Sequence, residues 1–263
     1  MDLQLEGRLA LVSGSTAGIG YAIARTLAQE GARVIVNGRT QAAVDEAVER
    51  IASDTGSVAL GEAGDLSRDE VAQGILERHP GIAILVNNLG TFETKAFEDI
   101  EDADWRRMFE VNVLSGVRLA RGVLPAMRQA NWGRIIFVSS ESAVQIPADM
   151  IHHGATKTAQ LAVARGLAES VAGTGITVNS ILPGPTRSRG VTDLVEEMAR
   201  ASGRRVEQVE AEFFEQVRPT SLIKRFARPH EVASLAAYVA SPLACATTGA
   251  ALRVDGGVVK SVF

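Results

Sequence analysis

Short runs of aliphatic and β-branched residues alternate with helical patterns along this whole chain, and that alternation excludes most folds. Residues 8–13 (RLALVS), 33–37 (RVIVN), 82–86 (IAILV), 134–139 (RIIFVS) and 176–182 (ITVNSIL) are apolar at most successive positions, not at every second one. A strand of that kind is buried on both faces, which requires a parallel sheet with helices on each side. A weaker run at 57–62 and a last one at 251–254 bring the expected strands to seven. Right-handed crossovers then give an α/β, doubly wound, Rossmann-like sheet. No linker, repeat or low-complexity segment interrupts the 263 residues, so a single domain is expected over 1–263.

Between these runs the helical patterns fall at about 18–29, 41–53, 104–130, 150–172 and 230–240. Ser67 is positioned as an N-cap, with Glu70 three residues on as its capping-box partner, for a helix reaching about Arg78. Pro125 is expected to bend the long 104–130 helix.

Between the first strand and the first helix lies Gly14-Ser15-Thr16-Ala17-Gly18-Ile19-Gly20. Glycines at a strand-to-helix turn allow close backbone approach, and the free N–H groups of a helix N-terminus attract pyrophosphate. The spacing is G-x-x-x-G-x-G, which differs from the more usual dinucleotide fingerprint. The second strand ends Asn37-Gly38-Arg39-Thr40 and offers no carboxylate for a ribose 2′-OH. Arg39 can instead meet a 2′-phosphate through its planar fork, which favours NADP(H), with NAD the less favoured cofactor.

Residues 139–157 (SSESAVQIPADMIHHGATK) close a strand with two serines and open a helix carrying His153 and Lys157. Four residues apart on a helix, those side chains share a face. A hydroxyl, an imidazole and an ammonium can then converge on one volume, as carbonyl or alcohol chemistry needs. His152 is expected at the surface of the helix start. A paired-histidine metal site is not expected, because adjacent helical positions diverge and no third ligand is evident.

These ordered motifs resemble the short-chain dehydrogenase/reductase family, in its oxoacyl-reductase-like subgroup, over essentially the whole chain. Gly14, Gly18 and Gly20 match the glycine motif, with Ser13 where threonine is more usual. Asn87-Asn88-Leu89-Gly90 matches the family's Asn-Asn-Ala-Gly, and Val254-Asp255-Gly256-Gly257 a motif near family subunit interfaces. The resemblance implies a catalytic set of Ser140, Asn112 and Lys157, with His153 where the family has its tyrosine. It also implies a cofactor site formed by Gly14, Ser15, Thr16, Gly18, Ile19, Gly20, Asp65 and Leu66 near the adenine side. Asn88, Gly90 and Lys157 would belong to the same site, and Pro183, Gly184 and Thr186 would lie on the nicotinamide side. No metal is implied.

In that family the tyrosine is the general acid of ketone reduction, the serine positions the substrate oxygen, the lysine holds the ribose, and the asparagine supports a water-linked proton path. Imidazole reaches roughly 2 Å less far than a phenol and needs a bridging water. Its reference pKa is about 6.5 against about 10, and a nearby Lys157 ammonium disfavours imidazolium. Three readings follow. The chain is a tyrosine-to-histidine variant of an active reductase, an enzyme whose native histidine acts directly or through water, or a non-catalytic NADP-binding scaffold. The expectation is a carbonyl reductase, of ketone or 3-oxoacyl type, with intact cofactor binding and strongly reduced turnover.

Residues 187–225 are too long for a simple connection and follow a strand's carboxyl end, where such sheets place ligands. Two amphipathic patterns, 191–199 and 206–217, with Phe213 and Phe214 as anchors, read as a substrate lid. Residues 90–97 and 144–150 should supply mostly apolar pocket walls. Arg187, Arg189, Arg204 and Arg205 could meet an anionic substrate group, or serve as solvated surface charges.

The net charge of −4 argues against nucleic-acid binding. No run reaches membrane-spanning length, and the first residues lack a signal-peptide layout, so a cytoplasmic protein is expected. The lone Cys245 excludes an internal disulfide. Alanines at 155, 159, 162 and 164, and the apolar tail Val258, Val259, Val262 and Phe263, point with the resemblance to a homotetramer, or failing that a dimer.

Overall fold

A computed structural model describes residues 1–262, with the side chains at 189, 190, 193 and 194 outside the description. The expectations for the Arg189 side chain and for Phe263 therefore lie outside the described residues.

The chain opens with β1 (Leu9–Val12), α1 (Gly18–Gln29), β2 (Arg33–Gly38), α2 (Gln41–Thr55), β3 (Leu60–Ala63) and α3 (Asp69–Arg78). β4 (Ile84–Asn87) leads into α4 (Asp102–Phe109) and α5 (Ser115–Gln129). β5 (Gly133–Val138), α6 (Ile151–Ser170) and β6 (Ile176–Pro183) follow. Then come α7 (Arg189–Ser202), α8 (Val206–Glu212), α9 (Pro229–Ala240) and β7 (Ala251–Val254). The strands form one parallel seven-stranded sheet in the order β3-β2-β1-β4-β5-β6-β7.

Alternate residues of each strand feed opposite layers, because successive side chains point to opposite faces. Val34, Val36, Ile84, Val86, Ile136 and Val138 face α1 and α9. Ile35, Leu85, Ile135, Phe137 and Val178 face α3, α5 and α6. Both faces are covered, as the uninterrupted apolar runs require. The strand order reverses between β1 and β4, which opens a crevice at the carboxyl ends there.

Several local expectations are corrected. Ser67 does not cap α3: its hydroxyl donates to the Asp65 carboxylate at 2.8 Å, and the N-cap position falls to Arg68. Glu70 pairs with Arg68 instead. The long 104–130 helix begins at Asp102 and is broken by a π-helical turn, Glu110–Leu114, between α4 and α5. The 206–217 helix likewise ends in a π-helical turn, Phe213–Val217. Such turns put an extra residue into the helix and re-aim the side chains around it.

The excursion has its own small core, in which Phe214 packs edge-on against Phe213 and Phe226. In the tail, Asp255 accepts the N–H groups of Gly257 and Val259, so Val258 and Val259 are already covered within the single chain. No helix among the described residues is long and apolar enough to cross a membrane.

Candidate functional site

At the carboxyl ends of β1, β2 and β4 a hydrogen-bond lattice holds the glycine loop. Asn37, unremarked in the sequence, accepts the Gly14 N–H on its side-chain oxygen and donates to the Glu62 and Gly64 carbonyls at 3.1 Å each. Ser15 is fully buried; its hydroxyl donates to the Val12 carbonyl at 2.6 Å and accepts the Asn37 N–H. Ser13 accepts the N–H groups of Asn88 and Leu89, both at 2.9 Å. The Asn88 amide donates to the carbonyls of Ser13 and Gly14. Ser15 and Asn88 therefore shape the loop through their side chains and leave ligand contact to the backbone around them.

The loop fits a pyrophosphate on its own geometry. Gly14 and Gly18 have φ of +59° and +58°, a region that favours glycine. A Cβ on Gly20 would lie 2.4 Å from both the Asn88 amide nitrogen and the Gly14 carbonyl oxygen. No side chain caps α1 at Ala17, which leaves the first-turn N–H groups of Gly18, Ile19 and Gly20 to an anion. A cleft of about 310 Å³ opens there, lined by Ala17, Gly18, Arg187 and Ser188 among others. Thr16 packs beside Gly38 at the end of β2. The adjacent Arg39 is exposed and makes no hydrogen bond or ion pair among the described residues. Asp65 accepts both the N–H and the hydroxyl of Ser67. The Leu66 side chain is buried in the core, so only its backbone can face an adenine.

Toward the middle of the crevice, Asn112 sits in the π-helical turn and is buried. Its side-chain oxygen accepts the Thr91 N–H at 2.7 Å, and its amide donates to the Thr91 carbonyl at 2.9 Å and to Thr156. Lys157 is buried and donates to the Val138 carbonyl at 3.0 Å and, more weakly, to Gln160 Oε1 at 3.4 Å. Burial lowers its pKa to about 8. A Cβ on Gly90 would approach Lys157 Nζ at 3.3 Å, so glycine keeps that approach open. Gln160 is a second residue the sequence did not reveal. Its amide donates to the Asn112 main-chain carbonyl while its oxygen faces Lys157.

His153 Nδ1 lies 3.1 Å from the Thr91 carbonyl oxygen. That oxygen can only accept, so Nδ1 carries the proton and Nε2 is left with a lone pair. Among the described residues Nε2 has no partner; it is not sealed off, and the ring is edge-on to the exposed Phe92. Burial, and then the Lys157 charge, lower the His153 pKa to about 4. Burial outweighs the Lys157 effect expected from the sequence. Ser140 is half-buried; its hydroxyl donates to Glu141 Oε2 at 2.6 Å and accepts the Ser142 N–H at 3.1 Å. Buried Glu141 also accepts Arg218 Nε at 3.2 Å, which ties the excursion to the serine loop.

His152 is not at the surface. With its neighbour turned to the crevice, it is rotated into the contact with α4, fully buried and edge-on to Trp105. Both its ring nitrogens lack a partner among the described residues. No group of three metal-ligating side chains is found among the described residues. On the far side, Gly184 fits tightly against the Asp255 backbone, where a Cβ would meet the carbonyl oxygen at 2.4 Å, and Thr186 donates to the Gly184 carbonyl at 2.9 Å. Arg187 pairs with Glu210 and Arg204 with Glu212, and Arg205 has no carboxylate partner among the described residues. Phe92, Val144 and Ile146 present exposed apolar walls.

Comparison with known proteins agrees with this fold. A family profile described as enoyl-(acyl carrier protein) reductase matches residues 14–259. YvaG of Bacillus subtilis, an uncharacterized oxidoreductase, is 45% identical over the whole of both chains. A D-β-hydroxybutyrate dehydrogenase of Rhizobium meliloti is 35% identical over 95% of this chain and 98% of its own. The crystal structure of L-sorbose reductase from Gluconobacter frateurii, complexed with NADPH and L-sorbose, superposes with a TM-score of 0.93. It is 32% identical, and all of both chains is covered.

The low pKa of His153 makes stability depend on pH. Below its unfolded value of about 6.5 the unfolded chain takes up a proton that the folded chain, near 4, refuses. Stability should therefore fall with pH across that window, by about 1.4 kcal/mol per unit from this group. In urea unfolding at pH 7 and pH 5, His153→Phe should lose about 2 kcal/mol less than the parent. Equal losses would mean that His153 charges freely in the folded state.

Proposed function

The chain belongs to the short-chain dehydrogenase/reductase family of oxidoreductases, and we propose that it is an NADP(H)-dependent member acting on a carbonyl and its alcohol, of ketone or 3-oxoacyl type, with reduction strongly slowed by His153. The single observation that carries this reading is the arrangement of Lys157, Gly90, Ser140 and His153 around one crevice, with the acid position held by a neutral imidazole. The cofactor supplies hydride chemistry when bound; this chain's residues orient the substrate and manage its proton. The glycine loop and the start of α1 would hold the pyrophosphate. Arg39 would meet the 2′-phosphate, an assignment supported by its lack of any other partner and by the NADPH carried by the L-sorbose reductase. Lys157, deep below Gly90, would hold the ribose and lend positive potential.

For reduction, His153 must give a proton from Nε2. With a pKa of about 4, only about one molecule in a thousand has that proton at pH 7. The shorter imidazole adds a positional cost, since misplacement by about 1 Å can lower a rate by about 10²-fold. The binding side of the machinery is untouched by either effect. Residues 187–225 would act as the substrate lid, tethered through Arg218 to Glu141. The exposed Phe92, Val144 and Ile146 favour a substrate with an apolar body. We place the protein in the cytoplasm and treat 1–263 as one domain that assembles as a homotetramer, with a dimer the alternative. Exposed Phe109 and Leu114, at the π-helical turn between α4 and α5, support a subunit contact there.

Two measurements test this. Across a panel of ketones with NADPH, His153→Tyr should raise turnover by about 10²-fold or more, by restoring both reach and proton. No gain on any ketone would favour a cofactor-binding scaffold. Separately, Arg39→Ala should weaken NADPH binding about tenfold and leave NADH binding unchanged. Equal effects on the two cofactors in calorimetry would remove Arg39 from the 2′-phosphate.

A further inference from the structure

We propose that the crevice of this chain is built to receive an oxygen that donates a hydrogen bond, an alcohol or the hydrate of a carbonyl, in preference to a bare ketone. The inference deepens the proposed function and rests on its reading that Ser140 and His153 flank the substrate oxygen. Both groups turn lone pairs, not protons, to the crevice.

Ser140 has one hydroxyl proton, and its partner for that proton is Glu141 Oε2 at 2.6 Å. Glu141 is buried, and its other oxygen accepts the Arg218 guanidinium at 3.2 Å. A carboxylate paired in this way offers only lone pairs, so the proton between Glu141 and Ser140 belongs to the serine. The Ser142 N–H takes one Ser140 lone pair. What Ser140 has left for the crevice is a second lone pair. His153 is in the same state. Its Nδ1 proton is spent on the Thr91 carbonyl, and Nε2 presents a lone pair.

The two groups lie on segments packed against one another. Thr158 of α6 donates to the Ala143 carbonyl at 2.8 Å, and a Cβ on Gly154 would lie 3.0 Å from the Ser142 carbonyl oxygen. Lys157 turns its ammonium to the Val138 carbonyl and Gln160. An oxygen entering between Ser140 and His153 therefore meets two acceptors. A ketone oxygen, which has only lone pairs, pairs with neither, and once bound it shuts the free lone pair of each off from water, which is costly. An alcohol satisfies one of them, and a hydrate can satisfy both.

The same geometry sets the proton step. In alcohol oxidation the O–H proton would pass to the Nε2 lone pair, giving an imidazolium, and a bound oxidised nicotinamide would supply the acceptor for the C–H hydride and its electron pair, leaving the ketone. Nε2 is already in the form that step needs. The reverse step needs Nε2 protonated, and at neutral pH it is not. Glu141 and Arg218 act here as positioning residues, because they decide which way the Ser140 proton points.

The test reads protons directly. The chain labelled with ¹⁵N-histidine is observed by long-range ¹H–¹⁵N correlation at pH 7, with and without NADP⁺, and His153 is assigned by its loss in His153→Tyr. His153 should show protonated Nδ1 and unprotonated Nε2. In the NADP⁺-loaded protein 2-propanol should move the Nε2 signal, with an apparent affinity at least about tenfold above that of acetone. In Glu141→Ala the Ser140 proton is released, and that preference should shrink. An Nε2-protonated tautomer, or equal responses to alcohol and ketone in the parent chain, would overturn the inference. A spectrum that does not respond to NADP⁺ would overturn the cofactor assignment instead, while the tautomer on the same sample still decides the inference.

Discussion

A backbone carbonyl has no hydrogen to give, and much of this site hangs from one such group. The Thr91 carbonyl accepts from the Asn112 amide and from His153 Nδ1, while the Thr91 N–H is held by the Asn112 side-chain oxygen. Asn112 thus clamps the backbone just after β4, and that clamped carbonyl fixes the tautomer of His153. From the tautomer follows which atom faces the crevice, and from the atom follows what it can do with a substrate. Burial adds the second constraint, because it keeps the ring neutral at ordinary pH.

The binding half and the chemical half of the protein are physically separable. The glycine loop is braced by Ser13, Ser15, Asn37 and Asn88, and among the described residues none of these hydrogen-bonds to His153. On the proposed function, a change at His153 leaves those hydrogen bonds in place, so cofactor affinity and turnover are expected to diverge. Lys157 joins the two halves. It is buried beneath Gly90, linked through Gln160 to the Asn112 carbonyl, and close enough to His153 to disfavour a second positive charge.

The sheet was legible in the sequence because its strands are buried on both faces and so read as continuous apolar runs. Such runs survive small errors at their ends, and β4 and β5 each differ from the sequence reading by only one or two residues. Ser140, Lys157 and Asn112 were named from the family resemblance, which assigns them by their match to its motifs. What was illegible depends on contacts between distant segments. Glu141 acquires its meaning from Arg218, 77 positions away, and Asn37 from Gly14 and Gly64. The π-helical turn around Asn112 leaves no periodic signature in the residues. His152 reads as a surface residue because polarity alone says so, yet the helix rotation that turns His153 to the crevice carries its neighbour into the interior. Ser67 shows the limit of cap signatures: Asp65 competes for its hydroxyl over a shorter loop and wins.

Protonation of one imidazole is proposed to limit the reduction. The most direct measurement is the single-turnover rate of NADPH oxidation by the ketone that serves His153→Tyr best, taken on the parent chain between pH 8 and pH 5.5. With His153 held near pKa 4, the rate should climb about tenfold for each unit the pH falls, without levelling in that range. A rate independent of pH, or one levelling near 6.5, would contradict the account, since it would mean that the proton comes from elsewhere or that the ring is not held neutral by its burial.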